Sequence, residues 1–162
     1  SIVIKRGLKY DMFYSLDEKE MRECEPLYPH HKKIFHLGYG SHRKDIYTLL
    51  KAFYLVRKKG IEAKLIRLGE PFDSEIVKNL SLEKEIIYLQ NISDSRLREI
   101  YNLSDLYVYP SLYEGWGAPG LEAAACGTPV ICTDIPIFKE VYQDFPIYFP
   151  PKDYRSLAKL II

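Results

Sequence analysis

The sequence predicts an α/β fold in which a doubly wound parallel sheet of about six strands carries helices on both faces. Short apolar runs of strand length alternate with longer segments whose apolar residues recur at helical spacing. Several of these apolar runs end at a glycine or a proline, which is typical of strands that turn into a helix. At 162 residues the chain is long enough for one domain with a sizeable core of its own.

The predicted strands and helices follow one another in regular alternation. Asp45 is predicted to cap the first helix of this series, which ends at Gly60, and Ser93 is predicted to cap a later one. The predicted strands are residues 34–37, 63–68, 85–89, 106–109, 130–132 and 147–149. Further helices are predicted over residues 74–80, over the alanine-rich run that Gly127 closes, over 135–141 and over 153–162.

Residues 1–31 are predicted to be an interdomain linker outside the core, and residues 32–162 to be the domain itself. The charged run 17–23 favours a short helix, which Pro26 and Pro29 would end. The chain starts without a methionine, and its last helical pattern stops in mid-run. We therefore expect one domain excised from a longer protein.

The composition argues against several functional classes. A net charge of +1 gives no reason to expect nucleic acid or a membrane surface as a partner. Three cysteines without paired spacing suit a reducing cytoplasm, and the absence of a signal peptide or a long apolar run predicts a soluble chain. The four histidines and Cys24 do not match metal-site spacing, so no metal is predicted, and His36 is interpreted as a satisfied core histidine.

The stretch from Tyr109 to Pro129 combines a strand, a glycine-rich turn and a helix. This arrangement brings backbone N–H groups and the positive end of a helix dipole together, which favours phosphate binding. Glu114 and Glu122 would repel phosphate, so hydroxyl groups of a sugar or ribose are their expected partners. Two alternatives stay open: a glycosidase-like pair of acid/base carboxylates, and a purely helix-stabilising Glu122. Trp116 could wall a sugar pocket or fill the core.

A second loop with binding potential follows the first predicted strand. Gly38 and Gly40 resemble a dinucleotide fingerprint, but Arg43 replaces its third glycine and no acidic residue follows at the usual spacing, so NAD or FAD is not favoured. Arg43 and Lys44 could bind a diphosphate, and a tight turn with a solvated basic pair is the alternative. In a six-stranded doubly wound sheet the strand order reverses between the first and fourth strands, so this loop and the Glu114 loop should meet.

These residues resemble the nucleotide-sugar half of GT-B glycosyltransferases, glycosyltransferase family 4 (glycosyl transferases group 1). The motif there is a glutamate, seven residues and a second glutamate around a Gly-aromatic-Gly-x-Pro turn, as in Glu114 to Glu122 here. The basic loop and first helix of the family resemble residues 43–53, and its interdomain linker resembles residues 4–13. The resemblance implies a Rossmann-like domain that forms the C-terminal half of a GT-B fold.

The resemblance also implies a retaining hexosyltransferase-type enzyme that uses a nucleoside-diphosphate sugar, such as a UDP- or GDP-sugar, without a tightly bound metal or cofactor. Glu114, Arg43 and Lys44 would be its catalytic residues, with the two cations neutralising the departing diphosphate. Glu122 would bind the ribose. The other donor-binding residues that the resemblance implies are Gly38, Gly40, Asn91, Ile92, Trp116, Gly117, Ala118 and Pro119, with Asn91 and Ile92 near the base.

The resemblance sets limits as well. An N-terminal domain of the same protein would bind the acceptor and make any membrane contact, so this chain alone should transfer nothing. Many members of the family carry an arginine directly after the glycine that ends the first strand, where this chain has Tyr39, and Arg43 is the candidate replacement. A non-catalytic nucleotide-sugar-binding module, a sugar-nucleotide epimerase and a phosphorylase stay open as alternatives.

Overall fold

The computed structural model describes residues 11–39 and 43–162, and a six-stranded parallel sheet lies at its centre. The strands are β1 (Lys32–Leu37), β2 (Ala63–Leu68), β3 (Ile86–Leu89), β4 (Leu106–Tyr109), β5 (Val130–Thr133) and β6 (Ile147–Phe149). Their order across the sheet is β3-β2-β1-β4-β5-β6, and every neighbouring pair is parallel. The predicted doubly wound α/β fold is therefore confirmed.

A helix connects each pair of consecutive strands, a helix also precedes β1 and another follows β6. In chain order the helices are α1 (Glu18–Glu23), α2 (Ile46–Lys58), α3 (Ser74–Asn79), α4 (Asp94–Leu103), α5 (Ala118–Ala125), α6 (Pro136–Tyr142) and α7 (Tyr154–Ile161). Asp45 accepts a hydrogen bond from the Thr48 N–H and Ser93 one from the Arg96 N–H, so both predicted helix caps are confirmed. Within the described ranges, no helix has the length and apolar character that a membrane span requires.

The sheet buries a hydrophobic core on each face. Successive residues of a strand point to opposite faces, so Ile34 and Phe35 of β1 enter different cores. Helices α2, α3 and α7 cover the first core, which contains Phe53 and Leu157. Helices α4, α5 and α6 contribute to the second core, where aromatic rings such as Tyr107 dominate. Helices on both faces are what a doubly wound sheet requires.

The segment before β1 takes part in the second core. Its helix α1 begins after Asp17, whose carboxylate accepts hydrogen bonds from two backbone N–H groups, and the predicted short charged helix is confirmed. Phe13 and Leu27 are buried, and the Phe13 ring meets the Tyr101 ring edge-on at 6.0 Å between centroids. The expectation that residues 1–31 lie outside the core is therefore wrong for Phe13 and Leu27, because their apolar side chains cover the second face of the sheet. Residues 1–10 lie outside the described ranges, and the linker role stays a prediction.

The strand order reverses between β1 and β4. These two strands are paired only at Ile34↔Leu106 and Phe35↔Tyr107, whereas β1 and β2 stay paired from Lys32↔Ala63 to Leu37↔Leu68. The ladder between β1 and β4 therefore ends early, before their carboxyl ends. In open α/β sheets, ligands bind in the crevice at such a switch point.

Candidate functional site

The loops that follow β1 and β4 meet at the carboxyl end of the sheet. The backbone N–H of Leu112 donates a hydrogen bond to the Arg43 carbonyl oxygen, with 2.9 Å between nitrogen and oxygen. The side chains of Arg43 and Lys44 also reach Glu114 across the same junction. The two loops with predicted binding potential thus form one site.

The Glu114 carboxylate binds both cations of this site. Its Oε2 accepts a hydrogen bond from Arg43 Nη1 at 2.7 Å, and its Oε1 accepts one from Lys44 Nζ at 2.6 Å. The side chains of Glu114 and Lys44 are 8% and 5% exposed, whereas that of Arg43 is 47% exposed. Charge-assisted hydrogen bonds are stronger where water is excluded. The Lys44–Glu114 pair is therefore the firmly held half, and solvent screens the Arg43 half.

The Lys44 side chain packs against neighbouring residues both at its aliphatic stem and at its Nζ. Its aliphatic stem lies against Gly38, where an added Cβ would stand 2.9 Å from Lys44 Cε. Its Nζ lies 4.7 Å from the centroid of the Tyr109 ring. Burial lowers the pKa of the Lys44 ammonium, and the Glu114 carboxylate opposes this effect. A buried ammonium in this setting favours additional negative charge nearby.

The glycine-rich turn ends at Gly117, directly before α5. Gly117 has φ +78°, a left-handed conformation that favours glycine, and its carbonyl oxygen accepts a hydrogen bond from the Tyr142 hydroxyl. An added Cβ at Gly117 would stand 2.9 Å from Phe138 Cε1. Among the described residues, no side chain forms a capping hydrogen bond at the start of α5. Pro119 has no N–H and the Gly120 N–H donates to the Gly117 carbonyl oxygen, so phosphate binding here would use the other backbone N–H groups of the turn.

Glu122 lies on α5 in different surroundings. Its Oε2 accepts a hydrogen bond from the Tyr101 hydroxyl at 3.1 Å, and its side chain is half-buried. Burial raises the pKa of Tyr101 well above its usual range, and the Glu122 charge adds to this effect, so the phenol keeps its proton and donates it. Glu114 thus binds cations, whereas Glu122 accepts a hydrogen bond from the neutral Tyr101 hydroxyl, and the predicted contacts of both glutamates with sugar or ribose hydroxyl groups stay predictions.

The remaining predicted site residues lie at the same edge of the sheet but in different loops. Trp116 is half-buried inside the turn after Glu114, and Ala118 and Pro119 are the first two residues of α5. Asn91 and Ile92 follow β3, so β1 and β2 separate them from the β4 loop. Gly40 lies outside the described ranges. No group of three His, Cys, Asp or Glu side chains in the described part of the chain is placed to hold a metal ion.

Two buried polar residues lie near this site without a predicted role. His36 Nδ1 donates a hydrogen bond to the Val108 carbonyl oxygen at 3.0 Å, but its Nε2 is buried without a hydrogen-bond partner. The interpretation of His36 as a satisfied core histidine is therefore correct for one ring nitrogen and wrong for the other. The guanidinium of Arg67 is also buried, and its Nη1 has no hydrogen-bond partner. The sequence signal for a functional role of Arg67 was its position at the end of an apolar strand, two residues before Gly69.

The doubly wound sheet and its switch-point site have the architecture of the C-terminal domain of GT-B glycosyltransferases. The chain belongs to the family described as glycosyl transferases group 1, whose model matches residues 17–162. Over 131 residues it is 42% identical to the serotype-specific mannosyltransferase WbdA of Escherichia coli, covering 77% of this chain and 16% of that protein. Over 133 residues it is 32% identical to the O-antigen chain mannosyltransferase B of Escherichia coli, covering 78% of this chain and 35% of that protein.

A solved structure gives the same result for the fold. The sucrose-phosphate synthase of Thermosynechococcus elongatus matches with a TM-score of 0.81 and 25% identity, over 96% of this chain and 41% of that one. The predicted C-terminal domain of a GT-B glycosyltransferase is therefore confirmed, and its assignment to family 4 stays a prediction. The chain spans between 16% and 35% of the length of the two mannosyltransferases.

Proposed function

We propose that this chain binds the nucleoside-diphosphate sugar donor of a retaining hexosyltransferase. The observation that carries this proposal is the Glu114 carboxylate, which binds Lys44 Nζ at 2.6 Å and Arg43 Nη1 at 2.7 Å at the mouth of the switch-point crevice. A carboxylate and two cations at one point suit a ligand that carries both hydroxyl and phosphate groups. The family match and the mannosyltransferase relatives favour sugar transfer over epimerisation, phosphorolysis or binding alone.

Lys44 and Arg43 are assigned to the diphosphate. Negative charge develops on the departing nucleoside diphosphate as its bond to the anomeric carbon of the sugar breaks, and fixed cations stabilise that charge. The buried Lys44 acts where the effective dielectric constant is low, and the guanidinium fork of Arg43 can bind two oxygens at once. These two side chains supply the positive charge in the proposed reaction, which involves no tightly bound metal.

The two glutamates are assigned to different hydroxyl groups of the donor. Glu114 would accept hydrogen bonds from the transferred sugar once the diphosphate engages the cations, and Glu122 would accept them from the ribose beside its bond with Tyr101. The start of α5 would bind phosphate through its backbone. The further donor contacts are assigned to Gly38 and Gly40, to Trp116, Gly117, Ala118 and Pro119, and, for the base, to Asn91 and Ile92.

The relatives also indicate which sugar to test first. Two of the proteins that this chain matches are mannosyltransferases, one of them at 42% identity. We therefore propose a nucleoside-diphosphate mannose as the donor. We further propose that an N-terminal domain of the same cytoplasmic protein binds the acceptor and makes any membrane contact, and that this chain alone transfers nothing.

Calorimetric titration of the full-length protein with UDP-, GDP- and ADP-sugars tests the donor-binding function. We expect one mannosyl donor to bind within the range typical of enzyme substrates, below about 1 mM. Lys44→Gln should weaken this binding because the variant removes the buried charge, whereas Lys152→Gln, at an exposed position, serves as the matched control. The proposal would be wrong if the folded protein bound none of the sugars at about 1 mM.

A further inference from the structure

Two buried polar side chains lie side by side beneath the proposed donor site. His36 of β1 and Arg67 of β2 are partners in the parallel ladder, and they are 0% and 2% exposed. Neighbouring strands are about 5 Å apart, so side chains at the same register on the same face are neighbours. The imidazole and the guanidinium therefore meet at the carboxyl end of the sheet.

The Val108 carbonyl decides which nitrogen of His36 carries the proton. A carbonyl oxygen only accepts, so Nδ1, at 3.0 Å, must be the donor, and the other ring nitrogen, Nε2, is left as an acceptor. Among residues 11–39 and 43–162, this Nε2 is buried without a hydrogen-bond partner, and so is the Nη1 donor of Arg67 on the next strand. Buried polar groups in folded proteins are nearly always paired. An acceptor and a donor that both lack partners thus occupy adjacent positions.

His36 makes its bond where the backbone ladder between β1 and β4 has ended. The last paired residues are Phe35 and Tyr107, and Val108 follows directly after Tyr107. The imidazole therefore joins the two strands one residue beyond their last ladder pair. This bond is thus a further link between β1 and β4 at the crevice.

Arg67 connects this point to the loop that holds Lys44. Its Cζ would stand 3.5 Å from a Cβ added at Gly69, and the same added Cβ would stand 3.1 Å from the carbonyl carbon of Gly38. Gly38 in turn packs against the stem of Lys44. Arg67 Nε also donates a hydrogen bond to the Glu70 carbonyl at 3.0 Å, which fixes the orientation of the guanidinium. Arg67 and Gly38 therefore both lie beside Gly69, and the Gly38 N–H donates a hydrogen bond to the carbonyl oxygen of Leu68, the residue after Arg67, at 3.1 Å.

We propose that His36 and Arg67 are positioning residues for the donor diphosphate. Arg67 Nη1 donates a hydrogen bond to one water, this water donates to His36 Nε2, and the bridge holds Gly38 and Lys44 where the diphosphate binds. This inference rests on the proposed donor-binding function. It requires a neutral His36, because a second proton on Nε2 would face the positive charges of Arg67 and Lys44. Burial and these two cations lower the pKa of His36 well below its ordinary value, in agreement with this requirement.

Comparing the affinities for a nucleoside diphosphate and for its nucleoside distinguishes a role in positioning the diphosphate site from general support of the fold. The probe is UDP, GDP or ADP, whichever the full-length protein binds, and it is compared with the corresponding nucleoside. His36→Leu should raise the Kd of the diphosphate about tenfold, because the bridge is lost, and change the Kd of the nucleoside less than about twofold. His30→Leu, at an exposed position, is the matched control.

Two variants with amide side chains, His36→Gln and His36→Asn, test whether the hydrogen bond toward Arg67 is what matters for diphosphate binding. The His36→Gln side chain is long enough to accept a hydrogen bond from the Arg67 side, so this variant should bind the diphosphate more tightly than His36→Leu does. The shorter His36→Asn side chain can only donate to the Val108 carbonyl oxygen, so this variant should bind the diphosphate as weakly as His36→Leu. Arg67→Met should reproduce the selective loss of diphosphate binding. Nitrogen chemical shifts of the His36 ring in the unaltered protein should show the Nδ1–H tautomer.

The outcomes distinguish the proposals from each other. Equal losses of nucleoside and diphosphate binding in folded variants would mean that the pair only supports the fold, and unchanged binding of both would also overturn the positioning role. An Nε2–H tautomer would overturn it whatever the variants do. If the unaltered protein bound none of UDP, GDP and ADP, the donor-binding function itself would be wrong, and the positioning role would be wrong as well.

Discussion

Glu114 and Glu122 are the same residue type in different surroundings, and these surroundings separate the effects expected on mutation. Glu114 shares its charge with a buried ammonium and a solvent-screened guanidinium. Glu122 accepts a hydrogen bond from a fully buried phenol. Under the proposed function, a change at the cation pair should alter how the departing diphosphate is stabilised, whereas a change at Glu122 should alter how the nucleoside is held.

Lys44→Met and Glu122→Ala should affect different kinetic constants in the full-length protein. Lys44→Met keeps the stem that packs on Gly38 but removes the charge, so kcat should fall about a hundredfold, with a smaller change in donor affinity. Glu122→Ala should raise the donor Kd about tenfold and leave kcat nearly unchanged, because it removes ribose binding. Steady-state kinetics with titrated donor measure both effects.

Glu122→Gln provides the control for this pair, because its amide oxygen can still accept the Tyr101 hydrogen bond. The assignment of roles would be contradicted if Lys44→Met and Glu122→Ala lowered thermal stability alike while kcat and donor affinity stayed as in the unaltered protein.

At the scale of elements, α5 and α6 pack together through contacts of Tyr142 with Gly117 and Gly120. Tyr142, the last residue of α6, donates its hydroxyl hydrogen to the Gly117 carbonyl and lies against Gly120 in the first turn of α5. An added Cβ at Gly120 would stand 2.6 Å from Tyr142 Cζ. The start of the proposed phosphate-binding helix is therefore positioned by the helix packed beside it.

Gly120→Ala should destabilise the domain by about 1–3 kcal/mol, because the new methyl group overlaps the Tyr142 ring. Gly115→Ala is the matched control, since an added Cβ there meets nothing within 4 Å. Urea unfolding of the two variants measures the difference. A Gly120→Ala protein as stable as the Gly115→Ala protein would show that α6 does not fix the start of α5.

At the scale of the whole molecule, much of the fold could be predicted because its signals are local. Apolar runs, glycines at strand ends and caps such as Asp45 and Ser93 identify elements without knowledge of their partners. The strand-order rule also brought Glu114 to the Arg43–Lys44 loop. The pairing of His36 with Arg67 and the contact of Tyr142 with Gly117 could not be predicted, because they depend on strand register and helix packing between residues far apart in the chain.

The stability of the whole domain should depend on pH through His36. Its pKa is lowered by burial in the folded state, whereas a histidine in the unfolded chain has a pKa of about 6.5. Below about pH 6.5 the unfolded chain therefore binds more protons than the folded one, and the free energy of unfolding falls by up to about 1.4 kcal/mol per pH unit. The pKa of Glu85 is lowered because the effects of Lys64 and Arg57 outweigh that of burial. Glu85 therefore lowers the free energy of unfolding further only below pH 4.5, the ordinary pKa of a glutamate.

Urea unfolding at about pH 7.5, 6.5 and 5.5 measures this dependence. His36→Gln cannot titrate and should flatten the slope below about pH 6.5, whereas His30→Gln, at an exposed position, is the matched substitution and should keep it. A stability that stayed constant from about pH 6.5 to 5.5 in the unaltered protein would contradict the neutral, buried state of His36.

The contact of Glu114 with both cations has a further consequence for turnover. Under the proposed function, a carboxylate tethered to the protein competes with the incoming donor for Lys44 and Arg43. Because this competitor belongs to the same chain, its effective concentration stays high and does not depend on how much ligand is present. The same carboxylate can displace the spent nucleoside diphosphate after transfer. Under the proposed function, an internal competitor of this kind would weaken the binding of donor and spent diphosphate alike and so speed product release.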